Sequence, residues 1–111
     1  MQRVNERDQA YRGGDSGVKY MIRGPLLDWG LILLEPGESL GGHYHRQVEE
    51  TFYVVAGEGT FVVNGERLAA SVGDAFRMEP NDRHDILNES AEPLRLVFIK
   101  TPYLPEDKVN V

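Results

Sequence analysis

The most informative stretch of the chain is residues 37–57, which read GESLGGHYHRQVEETFYVVAG. Within it, His43 and His45 are two residues apart, and on a β-strand such residues project from the same face. A carboxylate follows at Glu49 or Glu50, directly before an apolar run. Both imidazoles can therefore reach one point, with a carboxylate close by in the sequence.

His84 is the third and last histidine of the chain. Neutral imidazole together with carboxylate is a ligand set that suits Fe, Mn, Ni, Cu or Zn. The three histidines and one of the two neighbouring glutamates are therefore candidate ligands of a divalent transition metal.

Short apolar runs separated by glycine and proline lie on both sides of this stretch. Such runs are typical of β-strands, and no window longer than about ten residues keeps apolar residues at helical spacing. Asn64-Gly65, between two apolar runs, predicts a type I′ hairpin turn. The expected fold is all-β, a small sandwich or barrel. The predicted strands are 18–23, 29–34, 51–55, 60–63, 66–70, 75–78, 84–88 and 94–100.

Two segments carry expectations about the surface of the domain. Residues 31–34, Leu-Ile-Leu-Leu, are apolar on both faces of a strand. We expect the barrel interior to cover one face, and a second sheet or subunit to cover the other. Residues 101–108 contain two prolines and three charges, which disfavour a regular strand and indicate an extended tail.

The composition excludes several classes of protein. The chain has 111 residues, enough for one domain, and a formal net charge of −6. This acidic balance argues against nucleic-acid and anionic membrane surfaces. The absence of cysteine excludes disulfides, thiolate nucleophiles and cysteine metal sites. No apolar stretch has the length of a signal peptide or membrane span, so a cytoplasmic location is the default expectation.

Two segments resemble the two sequence motifs of the cupin superfamily. Residues 37–57 match the first, G-x5-H-x-H-x3,4-E-x6-G, at every fixed position. The glycine six residues after the glutamate selects Glu50 over Glu49. Residues 73–88 resemble the second, G-x5-P-x-G-x2-H-x3-N. The positions that match the second motif are Gly73, His84 and Asn88.

The second segment departs from the family pattern at two positions. Glu79 stands at the family's proline position, with Pro80 one residue later, and Asn81 stands at the second glycine position. Asparagine tolerates the left-handed backbone region better than most residues. We therefore expect Pro80-Asn81 to make the same turn before His84.

The resemblance implies a single cupin domain, a jelly roll or β-barrel, over residues 1–111. It places an N-terminal arm at residues 1–17 and a C-terminal tail at residues 101–111. It also implies one divalent transition metal per chain (Fe, Mn, Ni, Zn or Cu) with one or two coordination positions open to water or substrate. A homodimer is expected from the apolar strand and from the way small cupins commonly pair. The implied metal ligands are His43, His45, Glu50 and His84.

The implied function is that of a metal-dependent enzyme acting on a small oxygenated metabolite. Sugar acids, keto acids and phenolic compounds are the substrate classes, with isomerase, lyase or dioxygenase chemistry. The alternative is a non-catalytic small-molecule-binding or sensor cupin. Glu49 and Tyr53 are the catalytic candidates, and the expected partner is a small-molecule ligand or substrate, neither nucleic acid nor a membrane. Residues that could orient a carboxylate or sugar hydroxyl, although packing or surface roles are favoured for them, are Tyr20, Arg23, Trp29, Tyr53 and Arg77.

Overall fold

The computed structural model describes residues 1–111 and consists of ten β-strands and one 3₁₀ helix, Glu6–Asp8. Each of the eight predicted runs overlaps one strand, so the all-β prediction is confirmed. No helix of the structure is long and apolar enough to cross a membrane. The strands are β1 (Gly17–Arg23), β2 (Asp28–Leu34), β3 (His43–His45), β4 (Glu49–Ala56), β5 (Glu58–Val63), β6 (Glu66–Ser71), β7 (Ala75–Met78), β8 (His84–Leu87), β9 (Leu94–Thr101) and β10 (Lys108–Asn110).

The strands form a jelly roll of two antiparallel five-stranded sheets. One sheet has the order β1-β2-β9-β4-β7 and the other β10-β3-β8-β5-β6. Because side chains alternate along a strand, one face of each sheet turns toward the other sheet. Phe52 of β4 meets Phe61 of β5 across this space, with ring centroids 5.6 Å apart. The hydrophobic core therefore draws on both sheets and lies between them.

The hairpin between β5 and β6 confirms the turn predicted from Asn64-Gly65. Both residues have positive φ, +50° for Asn64 and +85° for Gly65. Val63 pairs with Glu66 on either side of the turn. Asparagine followed by glycine adopts these angles at low cost, which sets the register of the hairpin.

Asn88, the last residue of the second motif segment, ties the end of β8 to the opposite sheet. Its side chain is buried, and Nδ2 donates hydrogen bonds to the carbonyl oxygens of Leu34 and Glu92, both at 2.8 Å. Its Oδ1 accepts from the amide and hydroxyl of Ser90. Asparagine suits this position because one side chain satisfies both donors and acceptors of a buried turn.

The C-terminal tail has no strand over residues 102–107, as its prolines and charges predict, but a short strand follows that was not expected. Residues 108–110 form a regular strand, β10, which pairs with β3 and places Lys108 opposite His45. The Asp107 carboxylate accepts hydrogen bonds from the amides of Gln47 and Val48, at 2.8 and 2.9 Å. The segment with the two prolines leads the chain across to β3. Backbone pairing with β3 and the Asp107 carboxylate then hold β10 in place. The sequence of β10 alone does not predict this strand.

The outer face of β2 is covered in part by the N-terminal arm. Val4 and Tyr11 line a groove together with Trp29 and Leu31 of that face. The Lys19 ammonium joins the arm to the sheet, since it donates to the Glu6 carbonyl oxygen at 3.0 Å. Part of the cover expected from a second sheet or subunit therefore comes from the chain's own N-terminal residues.

Candidate metal centre

Four buried side chains converge at one point between the two sheets. His43 and His45 project from β3, and His84 of β8 lies directly opposite His43 in the same sheet. Glu50 reaches the point from β4 of the other sheet. The ligating atoms of all four lie within 4.8 Å of one another. The structure thus brings together the four residues that the family resemblance selects.

Backbone carbonyls fix the orientation of two of the imidazole rings. His43 Nδ1 lies 2.8 Å from the Gly41 carbonyl oxygen, and His84 Nδ1 lies 2.9 Å from the Asp82 carbonyl oxygen. A carbonyl oxygen only accepts hydrogen bonds, so the hydrogen of each neutral ring is on Nδ1. The Nε2 atoms therefore carry free lone pairs, which is the arrangement of a histidine that binds a metal through Nε2.

The three Nε2 atoms surround one oxygen of Glu50. Oε1 lies 3.0 Å from Nε2 of His45, 3.3 Å from that of His84 and 3.6 Å from that of His43. At His43 and His84 these lone pairs face a carboxylate oxygen, and they repel it unless a positive charge stands between them. Two ligands about 2.1 Å from a shared ion lie roughly 3.0–3.4 Å apart at octahedral to tetrahedral angles. The donor atoms therefore have the chemistry of a divalent transition-metal site, and two of the three distances to Glu50 fall in this range.

The Glu50 carboxyl is ionised at neutral pH. Burial raises its pKa, but the imidazoles of His43, His45 and His84, when they carry a hydrogen on Nε2, donate to the carboxylate, outweigh burial and hold the pKa well below its usual range. One carboxylate and three neutral imidazoles supply a single negative charge. A divalent metal bound there keeps an excess of positive charge, which favours an oxygen-rich or anionic additional ligand.

The turn before His84 confirms the expectation for Asn81. Its φ is +73°, in the left-handed region where glycine is favoured and asparagine is tolerated. The Asn81 amide donates to the His45 carbonyl oxygen at 2.7 Å. The turn is therefore bonded to the strand that carries two of the four ligands, which holds β8 and β3 in register at the site.

A cavity of about 400 Å³ opens beside three of the four side chains. This volume is typical of sites for small molecules. His43, His45 and Glu50 form part of its wall. The other charged residues and the tyrosine that line it are Arg12, Tyr20, Arg23, Asp28, Lys100 and Lys108.

Strand alternation separates the two catalytic candidates from the cavity. Glu49 and Tyr53 lie on the outer face of β4, whereas Glu50 lies on the inner face. The Glu49 carboxylate lies 3.5 Å from Nε of Arg77, and Tyr53 is 47% exposed. The structure therefore does not bring Glu49 or Tyr53 to the metal centre.

Two of the five residues proposed to orient a ligand, Tyr20 and Arg23, do line the cavity. Tyr20 accepts a hydrogen bond from the Lys100 ammonium at 2.6 Å, and the Arg23 guanidinium stacks 4.0 Å from the Tyr20 ring centroid. Trp29 and Arg77 do not line it. Trp29 lies on the outer face of β2, and Arg77 is exposed on β7.

Three basic residues of the cavity are absent from the candidates that the sequence suggests. Lys100 carries a signal that could have selected it, because it follows three buried apolar residues in the inward-facing alternation of β9. Arg12 and Lys108 lie near the two ends of the chain, and no local pattern directs either of them to the cavity. Only the paths of the arm and the tail bring them there.

Three cationic side chains, Arg12, Lys100 and Lys108, are neighbours in the cavity wall. Burial lowers the pKa of Lys108, and the neighbouring charges of Arg12 and Lys100 lower it further. The charges of Tyr20 and Glu50 raise the pKa of Lys108, but by less than burial and the two cations lower it. Three cationic groups are therefore close enough to repel one another.

Comparison with known proteins gives a family and several relatives. A family model described as Cupin domain matches residues 30–100. The tetracenomycin polyketide synthase protein TcmJ of Streptomyces glaucescens is 34% identical over 81 residues, which are 73% of this chain and 54% of that protein. A gentisate 1,2 dioxygenase of Aquipseudomonas alcaligenes is 38% identical over 65 residues, 59% of this chain and 19% of that protein. The chain spans about half the length of the first relative and about a fifth of the second.

A solved structure agrees with the fold over the whole chain. A Klebsiella pneumoniae protein with a double-stranded β-helix domain superposes with a TM-score of 0.85 at 19% sequence identity. The superposition covers 100% of this chain and 98% of that one. At this level of identity the similarity shows the fold.

Proposed function

The chain belongs to the cupin family, and from this premise we propose that it is a metal-dependent enzyme acting on a small oxygenated metabolite. The observation that carries the proposal is the convergence of four buried donor residues, three of which line a cavity of about 400 Å³. One divalent transition metal per chain (Fe, Mn, Ni, Zn or Cu) would be held by His43, His45, Glu50 and His84. Sugar acids, keto acids and phenolic compounds remain the proposed substrate classes.

The metal and the residues of the chain would have different roles in the reaction. When bound, the metal would act as a Lewis acid that polarises substrate oxygens. The backbone bonds of His43 and His84 hold their rings in place, which keeps the site preorganised. Tyr20, hydrogen-bonded to Lys100, is the cavity group proposed to hold a proton at its phenolic oxygen. Glu49 and Tyr53 take no part in this proposal.

The relatives support an oxygenated substrate but leave the reaction class open. One is a dioxygenase of gentisate, a phenolic acid, and another is a polyketide synthase protein. Isomerase, lyase and dioxygenase chemistry all use a metal with free coordination positions. A non-catalytic binding or sensor cupin would use the same cavity without turnover.

The first experiment is elemental analysis of protein purified without a metal-affinity tag. We expect about one divalent transition metal per chain, followed by turnover in oxygen-uptake and sugar-acid, keto-acid or phenol assays. Protein that stays metal-free after dialysis against Fe²⁺, Mn²⁺, Ni²⁺, Zn²⁺ and Cu²⁺ would overturn the proposal. Stoichiometric metal without turnover in any assay would favour the binding or sensor function.

The affinity for metal is expected to fall as the pH drops from 8 to 5. Histidine binds metal only when neutral, and free imidazole titrates near ~6.5. The pKa of Glu50 is already below its usual range, so this carboxylate stays ionised and the histidines account for the loss. We expect about a tenfold loss per pH unit for each histidine that takes up a proton. Isothermal titration calorimetry with Ni²⁺ measures this, and a constant affinity from pH 8 to pH 5 would contradict the ligand set.

Domain organisation, assembly and location are also proposals. We propose one cupin domain over residues 1–111, with its motifs at 37–57 and 73–88, and a cytoplasmic homodimer. The outer face leaves Tyr53, Val55 and Ile99 between 42% and 48% exposed, on the adjacent strands β4 and β9. Exposed apolar side chains on one face favour pairing with a second copy. Sedimentation velocity would detect a species of twice the mass of one chain.

A further inference from the structure

The charge of the cavity is opposite to that of the chain. The chain as a whole carries a formal net charge of −6. Four cationic side chains and two carboxylates line the cavity, a formal charge of 4 − 2 = +2, and a bound divalent metal would make it more positive. These side chains are Arg12, Arg23, Lys100 and Lys108 against Asp28 and Glu50. An acidic chain that places four of its 12 Lys and Arg residues around one cavity has a cavity suited to an anionic ligand.

Lys100 has the donors that such a ligand needs. It stands between Asp28 and Glu50 in a row across β2, β9 and β4, at an inward-facing position. Asp28 pairs with Arg23 at 3.6 Å, and Glu50 pairs with the three histidines, so neither carboxylate forms an ion pair with Lys100. Lys100 Nζ donates to Tyr20 Oη at 2.6 Å. An ammonium has three donors, so two remain for a ligand.

Tyr20 adds a further donor at the same place. Its phenolic oxygen accepts from Lys100, which leaves its own hydrogen free to be donated. Phe98 supports the ring edge-on, with centroids 5.3 Å apart. Gly30 makes room for Phe98, because a Cβ there would lie 2.9 Å from the Phe98 ring. The Lys100–Tyr20 pair therefore has a fixed position in the wall.

Two more cations extend this wall toward the mouth of the cavity. Lys108 stands opposite the ligand residue His45 in the pairing of β10 with β3. The Arg12 guanidinium lies 5.8 Å from the Tyr20 ring centroid. Neither side chain has a carboxylate within ion-pair distance, since the ion pairs of the structure involve other basic residues. Arg12 and Lys108, which come from opposite ends of the chain, therefore line the same cavity without an ion pair to any carboxylate of the protein.

We propose that the cavity binds a small carboxylic acid whose carboxylate lies against Lys100 and Tyr20, while another oxygen of the molecule faces the metal centre. Arg12 and Lys108 cover the carboxylate from the mouth. Asp28 and Glu50 flank Lys100, which favours a singly charged carboxylate over a doubly charged phosphate. The inference rests on the proposed function only for the metal end of the ligand.

The test compares an acid with its neutral amide. Salicylate and salicylamide have nearly the same shape and differ in the charged group, and calorimetry measures their binding to metal-free protein and to Ni²⁺-loaded protein. We expect salicylate to bind about tenfold or more tightly than salicylamide in both forms, as charge-assisted hydrogen bonds imply. Lys100→Met should remove most of this preference in the metal-free protein and reduce it in the Ni²⁺-loaded protein, where the metal still attracts the acid. Tyr20→Phe, which keeps the ring, should reduce it several-fold and provides a second test if Lys100→Met fails to fold.

Arg95→Met is the matched control. Arg95 lies on the same strand, exposed on the outer face, so this variant removes one positive charge without touching the cavity. It should keep the preference for the acid. Equal binding of acid and amide, or a preference unchanged in Lys100→Met, would overturn the inference. If inorganic phosphate displaces salicylate and binds more tightly, the inferred carboxylic acid would be wrong and the ligand would be a phosphate.

The design separates this inference from the proposed function. Acid preference in protein that holds no metal and turns over no substrate would leave the inference standing and the metal-dependent enzyme overturned. Metal binding and turnover without acid preference would support the metal-dependent enzyme and overturn the inference about the carboxylate.

Discussion

Glu50→Gln is expected to weaken metal binding about 100-fold, whereas Glu49→Gln should leave it within about twofold. Loss of a residue that merely supports a ligand costs about 10–100-fold in metal affinity, so loss of the only charged ligand belongs at or above the upper end. Glu50 is buried, with Oε1 at 3.0–3.6 Å from three imidazole nitrogens. Glu49 is one residue away on the opposite face and pairs with Arg77.

This pair of variants has matched chemistry, since each replaces one carboxylate by an amide of the same shape. Calorimetric titration with Ni²⁺ gives the affinities, and circular dichroism shows whether both variants are folded. Similar affinities in the two variants would remove Glu50 from the ligand set. A larger loss in Glu49→Gln would reverse the choice between the two glutamates.

Phe52→Ala is expected to lower the free energy of unfolding by about 3–5 kcal/mol. Phe52 is completely buried, and its ring packs 5.6 Å from that of Phe61 and 5.7 Å from that of His84. Its removal leaves a cavity between the two sheets, beside a metal ligand. Because domains of this size are stable by about 5–15 kcal/mol, the change is a large fraction of the total.

Tyr53→Ala is the matched control for this core variant. Tyr53 is the next residue in β4 but is 47% exposed on the outer face, so its truncation should cost about 1 kcal/mol or less. Urea unfolding of the two metal-free variants measures the difference. Equal losses of stability would contradict the position of Phe52 between the sheets.

Much of the fold could be predicted from local pattern. A strand repeats every two residues, so short alternating runs between glycines and prolines predicted eight of the ten strands. Asn64-Gly65 predicted its hairpin because these two residues adopt positive φ at low cost. The strand β10 could not be predicted, because it depends on pairing with β3 and on the Asp107 carboxylate, 59 and 60 residues away from its partners Val48 and Gln47.

The metal centre could also be predicted from local sequence, whereas the charged cavity around it could not. The sequence alone determined the candidate donors, because His43 and His45 share a strand face through local spacing, and the family motif then distinguished Glu50 from Glu49. The tertiary structure alone decided the charge of the cavity. Arg12 and Lys108 are 108 − 12 = 96 residues apart, and they meet only because the arm and the tail cross the same end of the barrel. Strand alternation is a property of neighbouring residues, whereas the convergence of distant charges depends on how the sheets pack.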